Sequence, residues 1–211
     1  AREMILGIRE GKPLENADRR LGWFLVAGTL PAAVGGLVLE DVVETHLRSP
    51  LIIVFTLPVL ACFLFWGEKK GRQSRGLGDL TWVDAVAVGI SQAVALIPGV
   101  SRSGITMTTA LFRDTTRTAA ARFSFLLSTP VIAGAGMLES ARLVKGLLQP
   151  GELEHFVDWD VVVVGFLFAA ASGFLCIRFF LRYLQTRNFT PFVIYRFVLA
   201  GVVLAFYLGS R

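Results

Sequence analysis

The stretch Pro98-Gly99-Val100-Ser101-Arg102-Ser103-Gly104-Ile105-Thr106 interrupts an otherwise apolar run covering residues 83–112. An arginine within membrane-length hydrophobic sequence costs roughly 2.5–3.5 kcal/mol on insertion scales, so it faces protein, water or a bound anion. The flanking pieces, 83–97 and 103–112, are each too short to cross a hydrocarbon core of roughly 30 Å as a helix. They read as two half-helices of a re-entrant hairpin with its polar tip near mid-membrane. Irregular backbone at that depth survives only where protein buries it or it lines a water-filled cavity. The tip is therefore the expected functional site.

Working outward, the 211 residues are 54% hydrophobic and 18% charged, with the apolar residues gathered in blocks, which predicts an all-α polytopic membrane protein. The charged first twenty residues lack the apolar core of a signal peptide and read as a surface segment. Full spans are expected at 22–40, 50–67, 121–139, 161–181 and 191–208, the first broken by Pro31 and Gly35-Gly36. Gly134 and Gly136 in the third are expected to mark close helix packing. Cys62 and Cys176 fall in spans and read as packing residues without a disulfide.

Charge asymmetry supports the hairpin. If 83–112 enters and leaves on one side, the loops on that side hold 14 Lys/Arg against four opposite; if it crosses, the split is 12 to six. The positive-inside rule selects the first arrangement. Five full spans and one re-entrant hairpin result, with the N-terminus cytoplasmic and the C-terminus outside. The net charge of +5 is thereby assigned to topology rather than to nucleic acid.

At the tip, Pro98 stops the first half-helix and Gly99 permits a sharp turn. Ser101 or Arg102 opens the second half-helix, whose free N–H groups and dipole favour an anion. Arg102 adds a planar fork suited to phosphate oxygens. Ser101, Ser103 and Thr106 add hydroxyls, with Ser103 and Thr106 on one face at i, i+3. Gln92, on the opposing half-helix, is within reach of the same cavity. Arg196 is a second candidate ligand; pairing with Glu139 or an interfacial position are its alternatives. Asp84, Glu40 and Glu139 lie near span ends, where hydration is the default, and His46 and His155 read as surface residues. No Walker loop and no G-x-S-x-G elbow is present.

The stretch PGVSRSGIT closely resembles the P-G-x-S-R-S-x-x-T motif of the bacterial undecaprenyl-pyrophosphate phosphatases, the bacitracin-resistance family. Gly89-Ile90-Ser91-Gln92 before it and Arg122-Phe123-Ser124-Phe125-Leu126-Leu127 after it resemble the family too. The resemblance implies removal of the terminal phosphate of a polyprenyl pyrophosphate lipid in the plasma membrane, at a site open to the periplasm. It also implies a divalent cation, magnesium or calcium. The matching positions are Pro98, Gly99, Ser101, Arg102, Ser103 and Thr106; Gln92, Gly104 and Arg196 join them as candidate substrate contacts. Ser101 or Ser103 either orients the phosphate or acts as nucleophile.

The family's E-x-x-x-E motif and S-S-x-G-H block have no counterpart here: Glu10 is followed at i+4 by Leu14. Metal ligands are therefore not identifiable in this chain. The family is built as two inverted repeats, so 1–80 reads as a partial first repeat and 81–211 as a whole second one within a single membrane domain. The expectation is a chain lacking the N-terminal hairpin and one span, starting as it does on Ala1, and turning substrate over poorly alone. A homodimer is an open option. The rival readings are a lipid or anion transporter, which also aims half-helix N-termini at anions, and an inactive fragment.

Overall fold

In the computed structural model, residues 10, 14–47, 49–147 and 159–209 are described. They form seven α-helices: α1 (Ala17–His46), α2 (Pro50–Lys70), α3 (Trp82–Val94), α4 (Arg102–Phe112), α5 (Arg117–Leu147), α6 (Trp159–Tyr183) and α7 (Thr190–Gly209). A single 3₁₀ turn, Leu77–Asp79, precedes α3. The helices α2, α5, α6 and α7 are long and apolar enough to cross a membrane. The chain is a polytopic helical membrane protein. The first expected span lies within α1, which has 30 residues and continues past Pro31 rather than ending there.

The short pair α3 and α4 occupies the centre. α3 packs on α1 and α4, while α4 packs on α2 and α5, and α7 lies along α2. Small residues permit this crowding. A Cβ at Gly89 of α3 would lie 2.5 Å from the Gly28 carbonyl oxygen of α1, so the two backbones touch where both lack a side chain. The core is built accordingly, from Ala61, Ala85, Ala110 and Ala121 set among Phe123, Leu111 and Leu127. Gly134 and Gly136, by contrast, meet no neighbour within 4 Å, so the expected packing falls on other glycines.

The two ends of the 82–113 segment are pinned together by charge. Asp84, 1% exposed, accepts from Arg75 Nη2 at 2.5 Å and from Arg113 Nε at 2.6 Å. It also closes a reciprocal cap with Thr81 at the start of α3: Thr81 N–H donates to Asp84 Oδ2, and Asp84 N–H donates to Thr81 Oγ1. Hydration was the expectation for this carboxylate; burial with two arginines replaces it. Burial by itself would raise its pKa, but the bonds from Arg75, Arg113 and Thr81 outweigh it and hold the carboxyl well below the usual range. Beside it, Glu68 at the end of α2 accepts from Arg117 Nε at 2.6 Å and from the Phe189 N–H ahead of α7. The end of α2, the α4–α5 turn and the α6–α7 turn thus meet at one end of the molecule.

Helix α6 has no buried residue and presents Phe166, Phe168, Phe174 and Phe179 outward, as expected of a span apolar on all sides. Cys62 and Cys176 are both exposed on helix surfaces, not packed inside as expected. The side chains of Glu40 and His46, and all of His155, lie outside the described residues.

Candidate anion site at the hairpin tip

Between α3 and α4 the chain turns through Pro98 and Gly99. Gly99 has φ +84°, in the left-handed region that side chains disfavour, and a Cβ there would overlap Thr56 Oγ1 of α2. Thr56 Oγ1 donates to the Pro98 carbonyl at 2.9 Å and so anchors the tip from a neighbouring helix. Nothing local signals this contact, which joins residues 42 positions apart.

Ser101 is the N-cap of α4: its Oγ accepts the Gly104 N–H at 3.1 Å and lies 3.3 Å from Ser103 Oγ. The helix therefore opens at Arg102, within the quoted motif. Arg196 of α7 reaches this first turn from the side. It is 8% exposed, and a Cβ at Gly104 would lie 2.6 Å from its Nη2. Its buried Nη1 finds no hydrogen-bond acceptor among the described residues. The alternative partner, Glu139, pairs instead with Arg142 at 2.8 Å. Arg196 is thus a buried cation set against the first turn of α4.

Ser101, Ser103, Gly104 and Arg196 form the polar end of a cavity of about 350 Å³. Its remaining walls are apolar, with Phe180, Phe189 and Phe192 prominent. Arg102 lines an adjoining cavity of about 420 Å³ together with Ser103, Ser128 and Thr129. The motif is thereby shared between two spaces, with Ser103 facing both.

Two expected contributors sit elsewhere. Thr106, 1% exposed, bonds Ser124 Oγ of α5 at 2.7 Å and donates back to the Arg102 carbonyl. Its hydroxyl fixes α4 on α5 and lines neither cavity. Gln92 is 3% exposed with both amide atoms unpartnered among the described residues, and it too lines neither cavity. Pro98 and Gly99 shape the turn behind the site. Among the described residues no three His, Cys, Asp or Glu side chains converge, and the polar side chains lining the two cavities are arginines, hydroxyls and the Cys176 thiol. That donor set does not fit a divalent cation.

Sequence comparison places related proteins beside this geometry. The family described as bacitracin resistance protein BacA matches residues 1–202. The undecaprenyl-diphosphatase of Thioalkalivibrio sulfidiphilus is 44% identical over 199 residues, covering 94% of this chain and 72% of that protein. That of Desulforudis audaxviator is 46% identical over 188 residues, covering 89% and 68%. That of Moorella thermoacetica is 43% identical over 201 residues, covering 95% and 73%.

Proposed function

Because the chain belongs to the bacitracin resistance protein BacA family, we infer that it is an undecaprenyl-diphosphatase. It hydrolyses undecaprenyl diphosphate to the monophosphate and orthophosphate, recycling the lipid carrier of cell-wall synthesis and opposing bacitracin. The observation that carries this reading is the buried Arg196 guanidinium set on the first turn of α4 beside two serine hydroxyls, in a cavity otherwise apolar. A desolvated cation gains far more from an anion than a hydrated one does, and an aromatic wall suits a polyprenyl chain.

In the proposed reaction, Arg102, Arg196 and the open N–H groups of α4 stabilise charge on the phosphoryl oxygens as the bond to the leaving group breaks. Ser103 orients the phosphoryl group from the cavity wall; Ser101 holds the helix start, and Thr106 fixes α4 on α5. The magnesium or calcium ion implied by resemblance is proposed only as a companion of the diphosphate, since the described residues around the cavities offer it no ligand set. The partner is the membrane lipid itself; a second copy of the chain remains a proposal, and nucleic acid is not invoked.

The topology proposed is five crossings and one re-entrant hairpin in the bacterial plasma membrane. The arginine-rich end is cytoplasmic, and the C-terminus and site opening lie outside. Residues 1–80 would form part of a first repeat and 81–211 the second. The Asp84–Arg113 pair supports the hairpin, because it holds the entrance and exit of the segment side by side.

Phosphate release from undecaprenyl diphosphate by the chain in detergent, beside Arg102→Ala and Arg196→Ala, tests the function. Each variant is expected to lose about 100-fold or more in turnover, as for removal of one preorganised anion donor. Unchanged turnover in both variants overturns the site. Substrate flux into liposomes without phosphate release would favour the transporter reading.

A further inference from the structure

Arg102, Ser103 and Gly104 are consecutive on α4, so they point about 100° apart around the helix. Gly104 faces Arg196 and the aromatic cavity, Arg102 faces the second cavity, and Ser103 stands between. The two cavities share Ser103, Phe125 and Ile177 and differ in the rest of their lining. The first continues into apolar walls from α6 and α7. The second carries two further hydroxyls, Ser128 and Thr129 of α5, beside the guanidinium. Both hydroxyls donate back along their own helix, Ser128 to the Ser124 carbonyl at 2.9 Å and Thr129 to the Phe125 carbonyl at 3.4 Å. Carbonyls inside a helix can already be held by the helical ladder, and a hydroxyl rotor turns freely. Either proton can therefore swing to a ligand at little cost.

A lipid diphosphate has two unlike phosphoryl groups, one esterified to the lipid and one terminal. We propose that the space lined by Arg102, Ser103, Ser128 and Thr129 seats the terminal phosphoryl group and the orthophosphate it becomes, while the Arg196 cavity holds the lipid-linked phosphate. This rests on the diphosphatase reading. In the reaction a water oxygen joins the terminal phosphorus, and the bridging P–O bond breaks with its electrons on the bridging oxygen. That oxygen leaves on the lipid monophosphate, and the water's protons pass to the phosphate products or to the medium. The products then part into different spaces: orthophosphate stays among Arg102 and the α5 hydroxyls, and the monophosphate stays under Arg196 against Phe180 and Phe192.

The test separates the two products. Binding of inorganic orthophosphate and of farnesyl phosphate to the full chain is measured by phosphorus NMR line broadening, and inhibition of phosphate release is measured alongside. The double variant Ser128→Ala/Thr129→Val is expected to weaken orthophosphate by about fivefold to tenfold, the equivalent of one or two lost hydrogen bonds, and to leave farnesyl phosphate within about twofold. Phe192→Ala is expected to do the reverse. Equal shifts for both ligands, or no shift for either, overturn the assignment. Selective binding in a chain that releases no phosphate would leave the two seats standing and sink the diphosphatase reading alone.

Discussion

Gly104 and Arg196 form the contact on which the proposed anion site turns, and each explains the other. Any side chain at Gly104 meets the Arg196 guanidinium, because a Cβ would lie 2.6 Å from Nη2. Gly104→Ala is therefore expected to displace the cation and raise KM about tenfold or more, with thermal stability nearly unchanged. A KM equal to wild type would show that the guanidinium does not meet substrate. Gly99 is a different case: its φ of +84° and the overlap with Thr56 make Gly99→Ala a backbone lesion. The expected result is a loss of about 1–2 kcal/mol in unfolding free energy from conformation alone, with the steric overlap adding to it. Arg196 was legible as an arginine inside an apolar span, as Arg102 was. Thr56 was not, since a threonine in a span reads as a back-bonded hydroxyl until its long-range acceptor is known. Thr106 shows the converse. Its i, i+3 spacing from Ser103 was visible, but helix periodicity does not say that Ser124 of α5 faces it.

At the scale of elements, the hairpin depends on its base as much as on its tip. Asp84 is fully buried and its two arginine partners come from opposite ends of the segment, so removing its charge leaves two cations short of an acceptor. The arginines left behind are 26% and 40% exposed and can hydrate, so Asp84→Asn is expected to cost about 1–3 kcal/mol, read as a fall in thermal midpoint in detergent. The pH dependence follows in sign. The folded carboxyl has a depressed pKa, so its contribution is complete above the unfolded value of about 3.9 and is lost as pH falls below it toward the folded value. Wild-type melting should therefore decline below about pH 4 more steeply than that of Asp84→Asn; parallel curves would remove Asp84 from the account. The spacing Thr81-x-x-Asp84 is a capping-box pattern, so the start of α3 was open to reading. The arginine partners were not, because the loop charges read equally well as cytoplasmic excess. The glycines misled for a related reason: Gly134 and Gly28 look alike in sequence, and only the neighbour each meets tells them apart.

For the whole molecule, the places of the long helices were legible because hydropathy marks them, and each expected span falls inside an observed helix. Helices α1 and α5 nevertheless run past 22–40 and 121–139 at both ends, where the helix continues into polar sequence that hydropathy does not mark. How α6 is covered was not legible, since an all-apolar helix gives the same pattern toward lipid as toward protein. The arrangement of charge gives the molecule a direction. Arg75, Arg113 and Arg117 gather with Asp84 and Glu68 at the end where α2 finishes and α7 begins. If that end is cytoplasmic and 83–112 is re-entrant, Ser74 before α3 and Thr186 between α6 and α7 lie on the same side, and Ser49 before α2 lies on the other. If 83–112 crosses, Ser74 and Thr186 fall on opposite sides, because every later turn is inverted. All three positions are exposed, and the native thiols are only Cys62 and Cys176. With both replaced by alanine, Ser74→Cys and Thr186→Cys should react with a membrane-impermeant maleimide in inverted vesicles and resist it in right-side-out ones, and Ser49→Cys should behave oppositely. Labelling of Ser74→Cys and Thr186→Cys from different sides would make the segment a full crossing. That outcome is hard to reconcile with a carboxylate at its start held by an arginine at its end, since one hydrogen bond cannot reach across a hydrocarbon core of about 30 Å.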